Sequence, residues 1–83
     1  MDAIERKFKT VVASIFRVPP NSIKNTTRFV EDLGARSLTM IELVATVESE
    51  FGISTTPKET AKNSTVAEAI AYIRKKLLEK RVK

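Results

Sequence analysis

The amino-acid sequence predicts an all-α fold, a small four-helix bundle with three longer helices, one short third helix and a long loop between helices one and two. Apolar residues recur at helical spacing in three segments, and prolines and glycines separate those segments. The length of 83 residues and the hydrophobic content of 42% suit one small core. We therefore expect residues 1–83 to form a single domain.

Helix one and the loop after it are predicted from apolar spacing and prolines. The helical stripe consists of Ile4, Phe8, Val11, Val12 and Ile15. Asp2 is placed to cap the first turn. We expect Pro19 and Pro20 to end the helix, because proline lacks an N–H and restricts the residue before it. The residues expected to anchor the loop, 18–35, to the core are Ile23, Phe29, Val30 and Leu33.

Helix two is predicted to run from Ser37 to Phe51, with Gly52 as its C-terminal stop. Its apolar side chains cover roughly 220° of a helical wheel, which is more than a surface helix needs. We therefore expect this helix to be central, with neighbours on two sides. Its predicted exposed strip consists of Thr39, Glu42, Thr46 and Glu50.

The last third of the chain predicts a short helix and a long one. Helix three is expected around Pro57–Lys62, because proline suits an early helical position. Helix four is expected to be capped by Ser64 or Thr65 together with Glu68, the pattern of a capping box. Its apolar stripe consists of Val66, Ile70, Ile73 and Leu77, and it ends in the basic run RKKLLEKRVK.

Missing residue types limit the chemistry. The chain has no cysteine and no histidine, which excludes the usual zinc sites, Ser–His and Cys–His nucleophile pairs and imidazole catalysis. We expect no metal site, and an enzyme here would have to rely on carboxylates, lysines or Tyr72. No apolar run approaches the ~20 residues that cross a membrane. The first ten residues also lack a signal-peptide core, so we expect a cytoplasmic protein with no membrane association.

The net charge of +5 is unevenly distributed. Residues 1–30 carry six bases and two acids, residues 31–56 one base and five acids, and residues 57–83 eight bases and three acids. Ser37 therefore lies in the one acidic segment of a basic chain. A nucleic-acid-binding protein would concentrate its bases on one recognition element, so we expect no nucleic-acid partner. The basic C-terminal run keeps a nucleic-acid or membrane-surface module open as an alternative.

Ser37, at the start of helix two, has three candidate roles. By position alone it is expected to be the N-cap of the helix. A serine nucleophile is disfavoured, because no histidine is present to deprotonate it and no glycine-rich oxyanion loop is visible. The third role is covalent attachment, since a helix N-terminus tolerates a phosphodiester on its first residues. Gly34 would allow another protein to approach the backbone closely.

The segment FVEDLGARSLTMIELVATVESEFGI resembles the core of an acyl carrier protein. The pattern F-x-E-D-L-G, S-L, E-L and E-x-E-F-G carries the resemblance, and TVAEAIAYI extends it to helix four. In this family a helix-two serine within D-S-L takes a 4'-phosphopantetheine arm from coenzyme A. The thiol of the arm carries the acyl group as a thioester, which suits a carrier that has no cysteine of its own.

The resemblance implies roles for particular residues. Ser37 matches the modified serine and Leu38 the leucine after it, while Glu42 and Glu48 match acidic positions that face partner enzymes. The positions near the arm or the acyl pocket are Met40, Ile41, Val44, Thr55 and Asn63. The implied partners are a phosphopantetheinyl transferase and the enzymes that load and use the acyl group. The implied protein is a monomeric carrier and not an enzyme.

Departures from the family pattern predict a specialised member. Arg36 replaces the aspartate of D-S-L, and the usually acidic third helix carries Lys58 and Lys62. Thr55 and Asn63 are polar where the family places aliphatic pocket residues. We therefore expect altered partners and a dedicated fatty acid, lipid or polyketide pathway. A carrier-like scaffold that is never modified stays open as an alternative, and the missing aspartate favours it.

Overall fold

The computed structural model describes residues 3–82 and shows an all-α fold, which confirms the predicted fold class. The helices are α1 (Ala3–Phe16), α2 (Ser37–Phe51), α3 (Pro57–Thr60) and α4 (Val66–Val82). A 3₁₀ turn at Pro20–Ser22 lies in the long loop. Between residues 3 and 82 there is no strand, although an isolated bridge joins Arg28 to Thr65. Helix α3 is two residues shorter than the predicted range 57–62.

Helix α1 ends at Phe16, before the prolines that the sequence suggests as its stop. Arg17 has left-handed backbone with φ of 57°, and the Val18 N–H donates to the Ala13 carbonyl at 3.1 Å. This is the hydrogen bond of a Schellman C-cap, which usually has glycine at the left-handed position. Pro20 instead begins the 3₁₀ turn. The expectation that the prolines end the helix is wrong, and Asp2, the expected N-cap, lies outside the described residues.

The core lies between α1, α2, α4 and the long loop. Phe8 of α1 and Phe29 of the loop meet edge to face with ring centroids 6.4 Å apart. Ile23 and Phe29 are buried and anchor the loop as predicted, whereas Val30 is 63% exposed and does not. The buried apolar residues are Phe8, Val12, Ala13, Ile23, Phe29, Leu43, Val47, Ile53, Val66, Ala69, Ile70 and Ile73. The predicted stripe of α4 is confirmed, with Leu77 packed at the edge of this core.

Hydrogen bonds tie the long loop to the start of α4. The Phe29 N–H donates to the Ser64 carbonyl at 3.1 Å, and the Val66 N–H donates to the Thr27 carbonyl at 2.9 Å. The predicted capping box is also present: the Glu68 N–H donates to Thr65 Oγ1 at 3.2 Å, and the Glu68 carboxylate accepts the Thr65 N–H at 3.0 Å. These hydrogen bonds therefore hold residues 27–29 of the loop against the start of α4.

Helix α2 is less covered than its apolar arc predicts. Its buried residues are Leu43 and Val47, whereas Leu38 is 78% exposed and Ile41 is 64% exposed. The wide apolar arc therefore overestimates how much of this helix is buried, although Leu43 and Val47 pack in the core with residues of α1 and α4. The short α3 does not cover this side of α2, so an apolar face of the helix is left open to solvent.

Two lysines from other helices stabilise the C-terminal end of α2. Lys7 of α1 donates to the Glu50 carbonyl and Lys80 of α4 donates to the Gly52 carbonyl, both at 2.7 Å. Gly52 has the left-handed φ of 64° expected of a C-cap residue. Ammonium groups at this end complement the negative pole of the helix dipole. The position of α2 is thus fixed by both α1 and α4.

Candidate functional site

Ser37 is the first residue of α2, and its side chain is exposed. Arg36 is the N-cap, with φ of −114° and ψ of 169°, and its carbonyl accepts the Met40 N–H at 2.9 Å. The predicted capping role of Ser37 is therefore wrong. Across residues 3–82 its hydroxyl has no hydrogen-bond partner. The hydroxyl is free at the positive end of a helix, where unpaired N–H groups favour an anion.

The turn before Ser37 is held by Asp32. Its carboxylate accepts hydrogen bonds from the Arg28 backbone N–H at 2.8 Å and from the Arg28 guanidinium at 3.0 and 3.2 Å. These bonds hold the pKa of Asp32 below its usual value. The Ala35 N–H also donates to the Phe29 carbonyl at 2.8 Å. These hydrogen bonds therefore hold the turn that precedes Ser37.

Space is open above this turn. Gly34 has a left-handed φ of 67°, and a Cβ built there would meet no atom within 4 Å. Arg36 is exposed and forms no ion pair with any residue from 3 to 82. Leu38 and Ile41 lie beside Ser37 on α2 and are also exposed. The surface around the Ser37 hydroxyl is thus apolar and accessible, with one unpaired positive charge.

A surface groove of about 550 Å³ begins at Ser37 and runs between α2 and the α3 region. Four of the predicted pocket residues, Met40, Ile41, Val44 and Asn63, line it. The other lining residues are Phe29, Val30, Ser37, Ala45, Glu48, Thr60, Ala61 and Ser64. A flexible group attached to the Ser37 oxygen would lie at one end of this groove.

A smaller cavity of about 40 Å³ lies deeper in the bundle and shares walls with the groove. Met40, Val44 and Asn63 line both spaces. Thr55 lines only the cavity, and Ile41 lines only the groove. The five predicted pocket residues therefore line two adjoining spaces, the groove and the cavity. The remaining cavity residues are Phe8, Phe29, Leu43, Val47, Thr60, Ala69, Tyr72 and Ile73.

A protein-family model described as Phosphopantetheine attachment site matches residues 6–73, well over half of the chain. The chain belongs to this family. It is a carrier domain for a covalent 4'-phosphopantetheine, which agrees with the resemblance to acyl carrier proteins. Carrier domains of this kind are generally not catalytic, and they generally interact with phosphopantetheinyl transferases and acyl-handling enzymes.

Residues 3–82 of this carrier domain contain neither a candidate membrane span nor a candidate metal site. No helix there is both long enough and apolar enough to span a membrane. No group of acidic side chains there is arranged to hold a metal ion.

Glu48 of the carrier domain has an internal bonding role that sequence reasoning did not predict. Its carboxylate accepts the Thr55 N–H at 2.9 Å and the Thr55 hydroxyl at 3.3 Å. These bonds tie the segment after α2 back to the helix. Glu48 is half-buried and Glu42 is exposed, so Glu42 is the more accessible of the two acidic residues.

Tyr72 and Thr60 are pocket residues that sequence reasoning missed. Tyr72 follows Ala69 by three positions on α4, and both line the cavity. A spacing of three residues puts Tyr72 on the same face of α4 as Ala69, and this signal could have identified Tyr72 as a pocket residue. Thr60 lies at the end of α3, whose rotation the sequence does not determine.

Proposed function

We propose that Ser37 is the site of phosphopantetheine attachment and that the chain carries acyl groups as thioesters on this arm. The observation behind this proposal is that the Ser37 hydroxyl, at the N-terminus of α2, is exposed and forms no hydrogen bond within residues 3–82. Transfer from coenzyme A forms a bond between phosphorus and the Ser37 oxygen and breaks the pyrophosphate link. The serine proton and adenosine 3',5'-bisphosphate leave. The N–H groups of the first helical turn favour the negative phosphodiester.

The chain supplies a position for this chemistry rather than a catalyst. No imidazole or thiol is present in the sequence, and the carboxylate of Asp32 is bonded to Arg28. The arm provides the thiol that holds the acyl group. We therefore propose that the chain is not an enzyme and that separate enzymes attach the arm, load it and use its cargo.

The surface around Ser37 is the proposed docking site for these partners. Leu38 and Ile41 offer exposed apolar contact, and Glu42 adds an exposed negative charge. Arg36 puts a positive charge where the related pattern has an aspartate. Like charges that face each other across an interface weaken binding. We therefore propose that Arg36 prevents binding by enzymes whose basic surfaces match the acidic residue of the related pattern. We further propose that the protein is a monomeric, cytoplasmic carrier in a specialised fatty acid, lipid or polyketide pathway.

Intact-mass measurement tests the attachment site. The wild-type chain, treated with coenzyme A and a phosphopantetheinyl transferase of broad specificity, is expected to gain one phosphopantetheine. Ser37→Ala is expected to gain none. Its fold should be retained, because the lost hydroxyl makes no hydrogen bond, and circular dichroism checks this.

Ser49→Ala is the matched control, since Ser49 is also an exposed serine of α2. This variant is expected to be modified like the wild type. Modification of the Ser37→Ala chain would show that the arm is attached to a different residue. A wild-type chain that no transferase modifies, including that of its own host, would favour the unmodified scaffold.

A further inference from the structure

The hydroxyl of Tyr72 is a buried polar group that lacks a partner. Its oxygen is shielded from solvent and forms no hydrogen bond with the part of the chain that the structure describes. Buried hydroxyl groups normally have a partner, because leaving one unpaired is costly. Tyr72 is also a wall residue of the 40 Å³ cavity that adjoins the groove from Ser37. A group that enters this cavity meets an unsatisfied hydroxyl.

The other polar residues of the cavity differ from Tyr72. The Thr55 hydroxyl donates to Glu48 at 3.3 Å, and the Thr60 hydroxyl donates to the Thr56 carbonyl at 3.1 Å. Asn63 is half-exposed and lines both the cavity and the groove. Tyr72 therefore has the one cavity hydroxyl, among the residues described, that is buried and forms no hydrogen bond of ordinary geometry, although the Glu59 carboxylate lies near it.

The size of the cavity limits what it can accept. A volume of about 40 Å³ has room for roughly three groups of the size of water. Most of its wall is apolar, with Phe8, Phe29 and Leu43 among the lining residues. A short saturated chain would fit the apolar wall and leave the Tyr72 hydroxyl unpaired. A short chain that carries an oxygen would fit the wall and also pair with the hydroxyl.

We propose that the cavity selects short acyl groups that carry a hydroxyl or keto oxygen, and that the Tyr72 hydroxyl determines this specificity by a hydrogen bond to that oxygen. The proposal rests on the proposed function, in which an arm on Ser37 delivers the acyl group along the groove. Met40 and Val44 line both spaces, so the groove and the cavity adjoin at these residues.

Tyr72 keeps its proton under ordinary conditions. Burial raises the pKa of its hydroxyl above the usual value, and the Glu59 carboxylate, which lies near the hydroxyl without meeting hydrogen-bond geometry, raises it further. The group therefore stays a hydrogen-bond donor at neutral and mildly alkaline pH, and its oxygen can still accept.

The test compares three arms that differ only at the third carbon. Butanoyl, 3-hydroxybutanoyl and 3-oxobutanoyl groups are attached to Ser37 through hydrolysis-resistant amide analogues of acylated coenzyme A. Wild type and Tyr72→Phe are compared, with Ser14→Ala as a control that removes an exposed hydroxyl from α1. Intact mass confirms loading, and Tm is measured for each form. Tyrosine fluorescence gives a second measurement, because the chain has one tyrosine and no tryptophan.

In wild type and Ser14→Ala, the oxygenated arms are expected to give a higher Tm than butanoyl by roughly 2–12 °C, the range for one net hydrogen bond in a domain of this size. They should also change the Tyr72 fluorescence. In Tyr72→Phe the difference should vanish or reverse. The unmodified Tyr72→Phe chain should melt at the wild-type temperature or above, since it loses an unpaired hydroxyl.

Three outcomes would overturn this inference. A butanoyl arm that stabilises as much as the oxygenated arms would show that the hydroxyl is not used, or that water already satisfies it. An oxygen preference that persists in Tyr72→Phe would assign the contact to another residue. Failure to load any arm at Ser37 by intact mass would overturn the proposed function, and this inference with it.

Discussion

At the scale of single residues, the site depends on which residue caps α2. Arg36 holds the N-cap position without a side-chain hydrogen bond, and this leaves the next residue, Ser37, with a free hydroxyl. A positive side chain at this end opposes the helix dipole, at a cost of a few tenths to about 1 kcal/mol. No described residue offsets that charge by an ion pair, because Asp32 is bonded to Arg28. An arm phosphate on Ser37 would place a negative charge next to Arg36.

Arg36→Asp is expected to improve modification and loading by enzymes that serve ordinary acidic carriers. The substitution restores the aspartate of the D-S-L pattern and removes a repulsive charge from the docking surface. The kcat/KM values of several such enzymes are the measurement. Lys24→Asp makes the same charge change at an exposed loop position and should leave those rates unchanged. Equal rates for wild type and Arg36→Asp with every enzyme would mean that Arg36 has no part in partner choice.

At the scale of elements, the start of α4 fixes both the last helix and the long loop. The Glu68 carboxylate accepts hydrogen bonds from the Ser64 N–H at 2.9 Å, the Ser64 hydroxyl at 2.8 Å and the Thr65 N–H at 3.0 Å. These bonds hold the pKa of Glu68 below its ordinary value, with Ser64 as the largest cause. Because the loop is hydrogen-bonded to this same turn, the capping box also supports the segment that leads to Ser37.

Glu68 is expected to make stability dependent on pH. Since its folded-state pKa lies below the unfolded value of about 4.3, its contribution is present above that pH and is lost as the pH falls through the folded pKa. Glu68→Gln should therefore have a lower Tm than wild type at pH 7, and the difference should shrink toward pH 3. Glu42→Gln, the same charge change at an exposed position of α2, is the control. A difference that is constant with pH would contradict a charge effect at Glu68.

At the scale of the whole molecule, internal contacts use many of the basic side chains. Lys7 and Lys80 bond the end of α2, Arg28 pairs with Asp32, and Arg74 pairs with Glu5 at 3.4 Å. Lys76 lies between Glu59 and Glu79 at 3.9 and 3.7 Å. These bases belong to α1, the loop and α4 rather than to one recognition surface. Their arrangement supports the fold and gives no support to a nucleic-acid-binding function.

The dimensions of the interior predict how cargo length affects stability. Each buried CH₂ contributes ~0.8 kcal/mol, but the 40 Å³ cavity admits only a short chain. Saturated arms on Ser37 should raise Tm up to about four carbons and add little beyond that. Asn63→Ile, which replaces an amide of the cavity wall with an apolar side chain, should extend the rise to longer chains. A steady rise up to eight carbons in wild type, measured by thermal melting, would contradict this prediction.

Local sequence patterns determined the order and type of the helices. Apolar spacing placed α1, α2 and α4, and the capping box of Thr65 and Glu68 marked the start of α4. These features depend on residues within one or two turns of each other, so the sequence contains them directly. The motif around Ser37 was likewise readable, and the family match over residues 6–73 agrees with it.

Only the tertiary structure decided which apolar surfaces are covered. Periodicity gave α2 a wide apolar arc, but the fold buries Leu43 and Val47 and leaves Leu38 and Ile41 exposed. The contacts of Glu48 with Thr55 and the unpaired hydroxyl of Tyr72 also depend on how separate segments meet. A helical pattern states which residues share a face, whereas the neighbour that covers that face is chosen by packing between elements distant in the chain.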